Sequence, residues 1–122
     1  MEKLIAFFDI PAANFDRAVK FYEKLFSCTI ERMECDTEKM GFIAGSSGEN
    51  IGSISFAENF KPSAQGVLVS FNTENIEKSV TIAETNGGTT IISKTAIQCE
   101  NGGFFCTILD CEGNRIGLYS KN

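Results

Sequence analysis

Apolar residues recur with two different periods along this chain, and each change of period marks the boundary of an element. Two segments carry apolar positions at the spacing of a helix that buries one face. The first helix is predicted from about residue 15 to residue 26, and its apolar face is formed by Phe15, Ala18, Val19, Tyr22 and Phe26. The second is predicted to begin at Ile76 and to end at Asn86, Gly87 and Gly88, because glycine past a helix end adopts positive φ. Asn14 and Asn75 are predicted to cap these helices.

Strands are predicted where short apolar or alternating runs are bounded by turn residues. The predicted strands are 4–10, 29–35, 40–44, 51–57, 67–71, 89–92, 104–109 and 114–120. Residues 58–66 contain Pro62, Ser63 and Gly66 and predict a linker, and residues 94–103 predict a longer loop. The last two strands are predicted to form a hairpin, because Gly113 can adopt the positive φ that a tight turn requires.

The order of these elements repeats, and the repeat predicts the fold. A strand, a helix and three strands occur twice at a constant offset of 61, the separation between Asn14 and Asn75. We interpret this as a duplicated βαβββ unit. The predicted fold class is α+β, a single domain with two tandem βαβββ modules whose curved sheets form a shared cleft. Module 1 covers about residues 1–58, the linker about 59–66 and module 2 about 67–122, and a cleft between modules is a common location for a small-molecule site.

Composition and charge narrow the classes of partner. The chain has 122 residues, 43% of them apolar, with 11 basic against 16 acidic side chains and a net charge of −5. The lysines are scattered, so we expect neither nucleic-acid nor membrane binding. The N-terminal apolar run is too short for a signal peptide, and no stretch is long enough to span a membrane. The five cysteines are odd in number, so we expect reduced thiols and a cytoplasmic protein.

Three motifs, in order along the chain, resemble a known superfamily. They are NFDRAVKFYE at 14–23, the segment from Asn75 to Gly88, and DCEGNRIGL at 110–118. Together they are similar to the vicinal oxygen chelate superfamily, which includes glyoxalases, bleomycin-resistance proteins and extradiol dioxygenases. The resemblance implies a divalent metal held by His, Gln or Glu side chains of the two modules. Its ligand positions fall at Phe7, Leu68 and Gly117, and at Ser55 or a neighbour.

None of these positions carries a good metal ligand, and the chain contains no histidine. The resemblance therefore implies a member without metal ligands, and we expect neither a metal nor another cofactor. The predicted function is metal-independent binding of a small molecule, as in the drug-sequestering members of the superfamily. The alternative is an enzyme of the same superfamily, a lyase, isomerase or dioxygenase with non-standard catalytic residues, and a third possibility is a protein kept for an interaction with another protein. By the same resemblance we expect a homodimer.

The candidate residues of a pocket wall share a predicted strand or strand end near the ligand positions. They are Phe7, Asp9, Phe42, Ser55, Phe56, Leu68, Ser70, Cys106, Arg115, Gly117 and Tyr119. Arg115 shares a strand face with Gly117 and Tyr119, so it would pair either with an anionic ligand or with a surface carboxylate. Cys106 is predicted to be a small buried hydrophobe, and the alternative is a nucleophilic thiol. Asp9 and Glu100 are the candidate general bases.

Overall fold

The computed structural model describes residues 4–122, which form two compact units that meet in sequence after Pro62. Unit 1 contains β1 (Phe8–Pro11), α1 (Phe15–Phe26), β2 (Glu31–Glu34), β3 (Lys39–Ala44) and β4 (Asn50–Phe56). Unit 2 contains β5 (Val69–Asn72), α2 (Ile76–Thr85), β6 (Thr89–Ala96), β7 (Phe104–Leu109) and β8 (Arg115–Ser120). The division falls inside the segment predicted to be a linker, and the first three residues of the predicted module 1 lie outside the described residues.

The two units have the same sheet topology. The strand order is β1-β4-β3-β2 in unit 1 and β5-β8-β7-β6 in unit 2. In each sheet the first strand of the unit pairs in parallel with the fourth, and the remaining pairs are antiparallel. The predicted α+β class with two tandem βαβββ modules is therefore confirmed, while the shared cleft stays a prediction.

Helix α1 begins and packs as its sequence predicts. The Asn14 side chain accepts a hydrogen bond from the backbone N–H of Arg17 at 3.1 Å, which satisfies a free donor of the first turn. The helix packs closely on β3 because Gly41 has no side chain: a Cβ there would lie 2.9 Å from Ile30 Cγ2 and 3.1 Å from Val19 Cγ2. The core of unit 1 therefore lies between α1 and the sheet face that carries Gly41 and Ile54.

Helix α2 repeats this arrangement in unit 2. The Asn75 side chain accepts a hydrogen bond from the backbone N–H of Lys78 at 3.0 Å, and Gly87 adopts a φ of 100° just past the end of the helix. The strand residues of the core are almost fully buried: Cys106, Ile108, Ile116 and Leu118.

The turn between β7 and β8 is built around one carboxylate. Asp110 Oδ1 accepts hydrogen bonds from the backbone N–H of Glu112 at 2.8 Å and from that of Asn114 at 2.9 Å. Gly113 adopts a φ of 89°, and Asn114 in turn accepts a hydrogen bond from the Ser63 backbone N–H at 3.0 Å. The turn thus also fixes the start of unit 2.

The strand boundaries differ from prediction at the edges of the sheets. β1 begins at Phe8 rather than at residue 4, because its pairing with β4 begins at Phe8 opposite Gly52. β6 continues to Ala96, through residues predicted to be a loop, because Thr95 and Ala96 still pair with β7. Two register shifts interrupt that pairing, between Thr90 and Ile92 and between Ile92 and Thr95. Among residues 4–122, neither helix has the length and hydropathy needed to cross a membrane.

Candidate functional site

The pairing register of unit 2 places the predicted ligand position Gly117 in a row of three residues across the sheet, and unit 1 has an equivalent row. Gly117 pairs with Ser70 on β5 and with Thr107 on β7. The equivalent row in unit 1 contains Asp9, Ser53 and Phe42, which pair across β1, β4 and β3. We call these two sets of three residues the central rows.

Each central row lies on the sheet face that its own helix does not cover. In unit 1, Gly41 and Ile54 face α1, and neighbouring residues of a strand point to opposite faces. Asp9, Phe42, Ser53 and Ser55 therefore point away from α1. We call this side of each sheet the helix-free face.

Two predicted pocket residues lie on the opposite side. Phe56 shares its face with Ile54, and its ring lies 5.8 Å from Lys39 Nζ, so it cannot line the same wall as Ser55. Cys106 pairs with Leu118 in the fully buried face of unit 2, so it faces the core instead of the helix-free face. Because a strand alternates its side chains, neither residue lies on the helix-free face of its own sheet, and the burial of Cys106 agrees with the expectation of a small buried hydrophobe.

The predicted first-strand positions precede the strands. Phe7 and Leu68 lie just before β1 and β5, and their side chains are 57% and 47% exposed. The residues that actually lie beside the fourth-strand positions are Asp9 and Ser70, two places further along on the same face. The register also identifies Ser53, rather than Ser55, as the unit 1 counterpart of Gly117.

The helix-free face of unit 1 carries a hydrogen-bonded group of three polar side chains. The Ser53 hydroxyl bonds to the Asp9 carboxylate, and the Ser53 and Ser55 hydroxyl oxygens lie 2.7 Å apart. Ser53 and Ser55 are buried, whereas Asp9 is exposed. The half-buried Phe42 ring completes the central row beside Ser53. The carboxylate thus lies at the outer end of the group, where it can accept a hydrogen bond from a ligand.

The helix-free face of unit 2 has a different chemistry. A Cβ built on Gly117 would collide with Ser70 Oγ and lie 3.2 Å from Ser70 Cβ, so the Ser70 side chain occupies the space that a side chain at 117 would need. Arg115 and Tyr119, both half-buried, lie on the same face two residues before and two residues after Gly117. This face offers a cation, hydroxyls and an aromatic ring, and its central row carries no carboxylate.

These residues do not fit the metal that the superfamily resemblance implies. On the first and fourth strands, the central rows carry one carboxylate in Asp9 and two hydroxyls in Ser53 and Ser70. The fourth position is Gly117, which has no side chain. Serine hydroxyls are poor ligands for a divalent ion. Within residues 4–122, no group of three or more His, Cys, Asp or Glu side chains is placed to hold a metal. Restoring a carboxylate at 117 would also require Ser70 to move.

Thiol chemistry is also disfavoured on the sheets. Burial raises the pKa of the Cys106 thiol above its ordinary value, and the backbone hydrogen bond from Leu118 offsets only part of this effect. Cys106 is therefore protonated at neutral pH and is a poor nucleophile. The backbone of Thr37 and then that of Glu38 lower the pKa of the thiol of Cys35, an exposed residue between β2 and β3. Glu100, the second candidate base, is exposed in the loop between β6 and β7.

The sequence reasoning did not single out Ser53 or Thr107, which complete the central rows. To predict these two residues, one would have needed to know which residues of neighbouring strands pair with each other. Subtracting the repeat offset of 61 from Ser70 gives Asp9, so Asp9 follows from the sequence. Ser53 lies beside Asp9 only through the parallel register of β1 and β4, and no local sequence pattern encodes that register.

Comparison with solved structures identifies the fold. A glyoxalase/bleomycin resistance protein/dioxygenase family enzyme from Burkholderia phytofirmans PsJN superposes with a TM-score of 0.67 at 14% identity, over 94% of this chain and 97% of that one. A glyoxalase/bleomycin resistance protein from Albidiferax ferrireducens T118 gives 0.69 at 12% identity, over 97% and 98%. The fosfomycin resistance protein FosX from Mesorhizobium loti gives 0.66 at 11% identity, over 98% and 92%.

The chain therefore has the vicinal oxygen chelate fold, as the motifs predicted. It is similar in fold to glyoxalase and bleomycin-resistance proteins in particular. No protein-family model matches the sequence, and no curated protein matches it. At these identities the likeness concerns the fold alone.

Proposed function

We propose that this protein binds a small molecule on the helix-free faces of its sheets without a metal ion. The observation that carries the proposal is the composition of the central rows. In these rows the first and fourth strands carry Asp9 and Ser53 in unit 1 and Ser70 and Gly117 in unit 2, so groups that donate and accept hydrogen bonds lie near the positions where the resemblance implies metal ligands. Each helix-free face also carries an aromatic side chain: Phe42 is a member of the unit 1 row, and Tyr119 lies two residues after Gly117 in unit 2. Apolar walls with a few polar groups are typical of small-molecule sites.

The first test is elemental analysis combined with a thermal-shift screen. We expect purified protein to contain transition metal far below one ion per chain. We also expect at least one compound from a panel of metabolites and antibiotics to raise the melting temperature equally with and without a chelator. A ligand at a hundredfold excess over its Kd contributes about 2.7 kcal/mol, a shift of roughly ten degrees for a domain of this size.

The opposite results are equally clear. One Zn, Ni, Fe or Mn ion per chain would contradict the proposal, as would ligand binding that disappears with the chelator. Turnover of a bound compound would instead favour the superfamily enzyme with non-standard residues.

Two further expectations belong to this proposal. A homodimer is supported by large apolar side chains that are exposed just before β1 and β5, including Leu4 at 87% and Val67 at 93%. A cytoplasmic location is supported by the cysteine count, because five cysteines cannot all pair within one chain.

A further inference from the structure

Arg115 differs from the other buried polar side chains of residues 4–122 in its hydrogen bonding. Its Nε atom is buried and has no hydrogen-bond partner, and within residues 4–122 it is the only buried side-chain nitrogen or oxygen in that condition. No carboxylate of the described residues forms an ion pair with it. A buried donor without a partner destabilises the folded state, and for a charged group the cost is larger. Such a group therefore requires an explanation.

The lack of a partner does not come from a shortage of carboxylates. The chain carries 16 acidic residues against 11 basic ones. Other cations are paired: Arg32 with Asp16, and Lys94 with Glu77 at 3.2 Å. The nearby Asp110 is committed to its turn, where Oδ1 accepts two backbone hydrogen bonds and Oδ2 accepts one from Asn114 Nδ2 at 3.1 Å.

The surroundings of Arg115 define what it can bind. Arg115 lies on the helix-free face and pairs with Leu109 on β7. Gly117 is two residues further along β8, about 7 Å away at the rise of a strand, and the Ser70 hydroxyl covers it. Tyr119 follows after another 7 Å or so. A guanidinium, a hydroxyl and a ring in one line match a ligand with an anionic group at one end and an apolar body.

We propose that Arg115 binds the oxyanion group of the ligand, a carboxylate or a phosphate carried on a small apolar or aromatic body that extends along β8 toward Tyr119. This inference rests on the proposed function and specifies the chemical class of its ligand. The planar guanidinium donates to two oxygens of such a group at once, which a lysine ammonium cannot do in the same geometry. Because Nε is buried in the free protein, a ligand that displaces the atoms covering it supplies the hydrogen bond that Nε lacks.

The test measures binding of benzoate, phenyl phosphate and benzyl alcohol by calorimetry at low ionic strength. The variants are Arg115→Met, which removes the charge at similar volume, and Arg115→Lys, which keeps the charge without the planar fork. Arg17→Met is the matched control, because it removes the same charge from an exposed position on α1. The relative affinity of the two anions distinguishes a carboxylate from a phosphate ligand.

We expect Arg115→Met to lose at least about tenfold in affinity for the preferred anion, Arg115→Lys to lose less, and Arg17→Met to bind like the wild type. Binding of the anion should weaken as salt is added, whereas any binding of benzyl alcohol should not. Without ligand, Arg115→Met should melt at a higher temperature than the wild type, because an unpaired buried donor has been removed.

Three results would overturn the inference. If Arg115→Met binds the anion as tightly as the wild type does, Arg115 is not the anchor, although the protein still binds a small molecule. If the wild type binds neither anion but binds a neutral compound of the broader panel, only the ligand class is wrong. If Arg115→Met melts at a lower temperature and binding is unchanged, Arg115 supports the fold. Failure of every compound in the panel contradicts the proposed function itself.

Discussion

At the scale of single residues, the two units differ in chemistry at the central rows. Asp9 and Ser53 form a hydrogen-bonded pair in unit 1, and their equivalents Ser70 and Gly117 form a close steric contact in unit 2. In both units the first-strand and fourth-strand side chains fit each other, so neither position can be changed alone without affecting its neighbour. Gly117 is consequently a packing requirement of this sheet.

This coupling gives a prediction for Gly117→Ala. The added Cβ collides with the Ser70 hydroxyl, so we expect the free energy of unfolding to fall by about 1–3 kcal/mol, the usual cost of overpacking. Adding Ser70→Ala should recover part of this loss, because the colliding oxygen is gone and Ser70 is an exposed residue. Urea denaturation of the wild type, both single variants and the double variant measures the interaction. Equal losses in the single and double glycine variants would show that Ser70 is not the obstacle.

At the scale of elements, each helix is tied to the outer strand of its own sheet by an ion pair from its first turn. Asp16 on α1 pairs with Arg32 on β2, and Glu77 on α2 pairs with Lys94 on β6. The hydrogen bond from Arg32, followed by its charge, lowers the pKa of Asp16. For Glu77 the hydrogen bond from its own backbone is the largest cause of a lowered pKa, followed by that from Lys94.

These lowered pKa values predict how stability changes with pH. A carboxyl whose pKa is lower in the folded state stabilises that state above the unfolded pKa, near 3.8 for Asp16, and loses the effect as pH falls through the folded value. We expect Asp16→Asn to lower the melting temperature at pH 7 and the difference from the wild type to shrink below pH 4. Asp36→Asn, in the turn between β2 and β3, is the matched control and should follow the wild type at both pH values. A difference that is independent of pH would rule out the ion pair as its cause.

The helices and the repeated strand order could be predicted from the sequence, because caps such as Asn14 and an apolar face such as that of α1 are local features. The length of β6 could not. Residues 93–95 are polar, and the strand continues through them to Ala96 only because β7 provides partners for Thr95 and Ala96. The candidate site was predicted in part for the same reason. Arg115, Gly117 and Tyr119 share a strand and so a face, whereas Ser53 joins Asp9 only through a register between distant strands.

At the scale of the whole molecule, large apolar side chains remain exposed at the same place in both units. Leu4, Ile5 and Phe7 precede β1, and Val67 and Leu68 precede β5, with exposed fractions from 47% to 93%. The equivalent segments of a duplicated unit thus share an unburied apolar character. Exposed apolar patches of this kind are typical of contacts between proteins, which is the structural support for the proposed homodimer.

We therefore expect light scattering to give a mass of twice the 13.3 kDa of one chain. The double variant Ile5→Ser with Val67→Ser should shift the protein toward the monomer. Met33→Ser is the matched control, because Met33 is also an exposed apolar residue, 55% accessible, but lies on β2. A wild-type mass of one chain would contradict the dimer, and an equal shift in the control would place the contact elsewhere.

The two register shifts in β6 have a consequence for the colloidal behaviour of the protein. β6 is an outer strand of eight residues with Ile91 and Ile92 each 41% exposed, a composition that in a straight strand would favour the addition of strands from other molecules. The shifts bend and twist the strand, and the charged Lys94 lies between its two ends. An incoming strand therefore meets no long regular row of free backbone groups, and this edge of unit 2 is a poor template for fibril growth in concentrated solution.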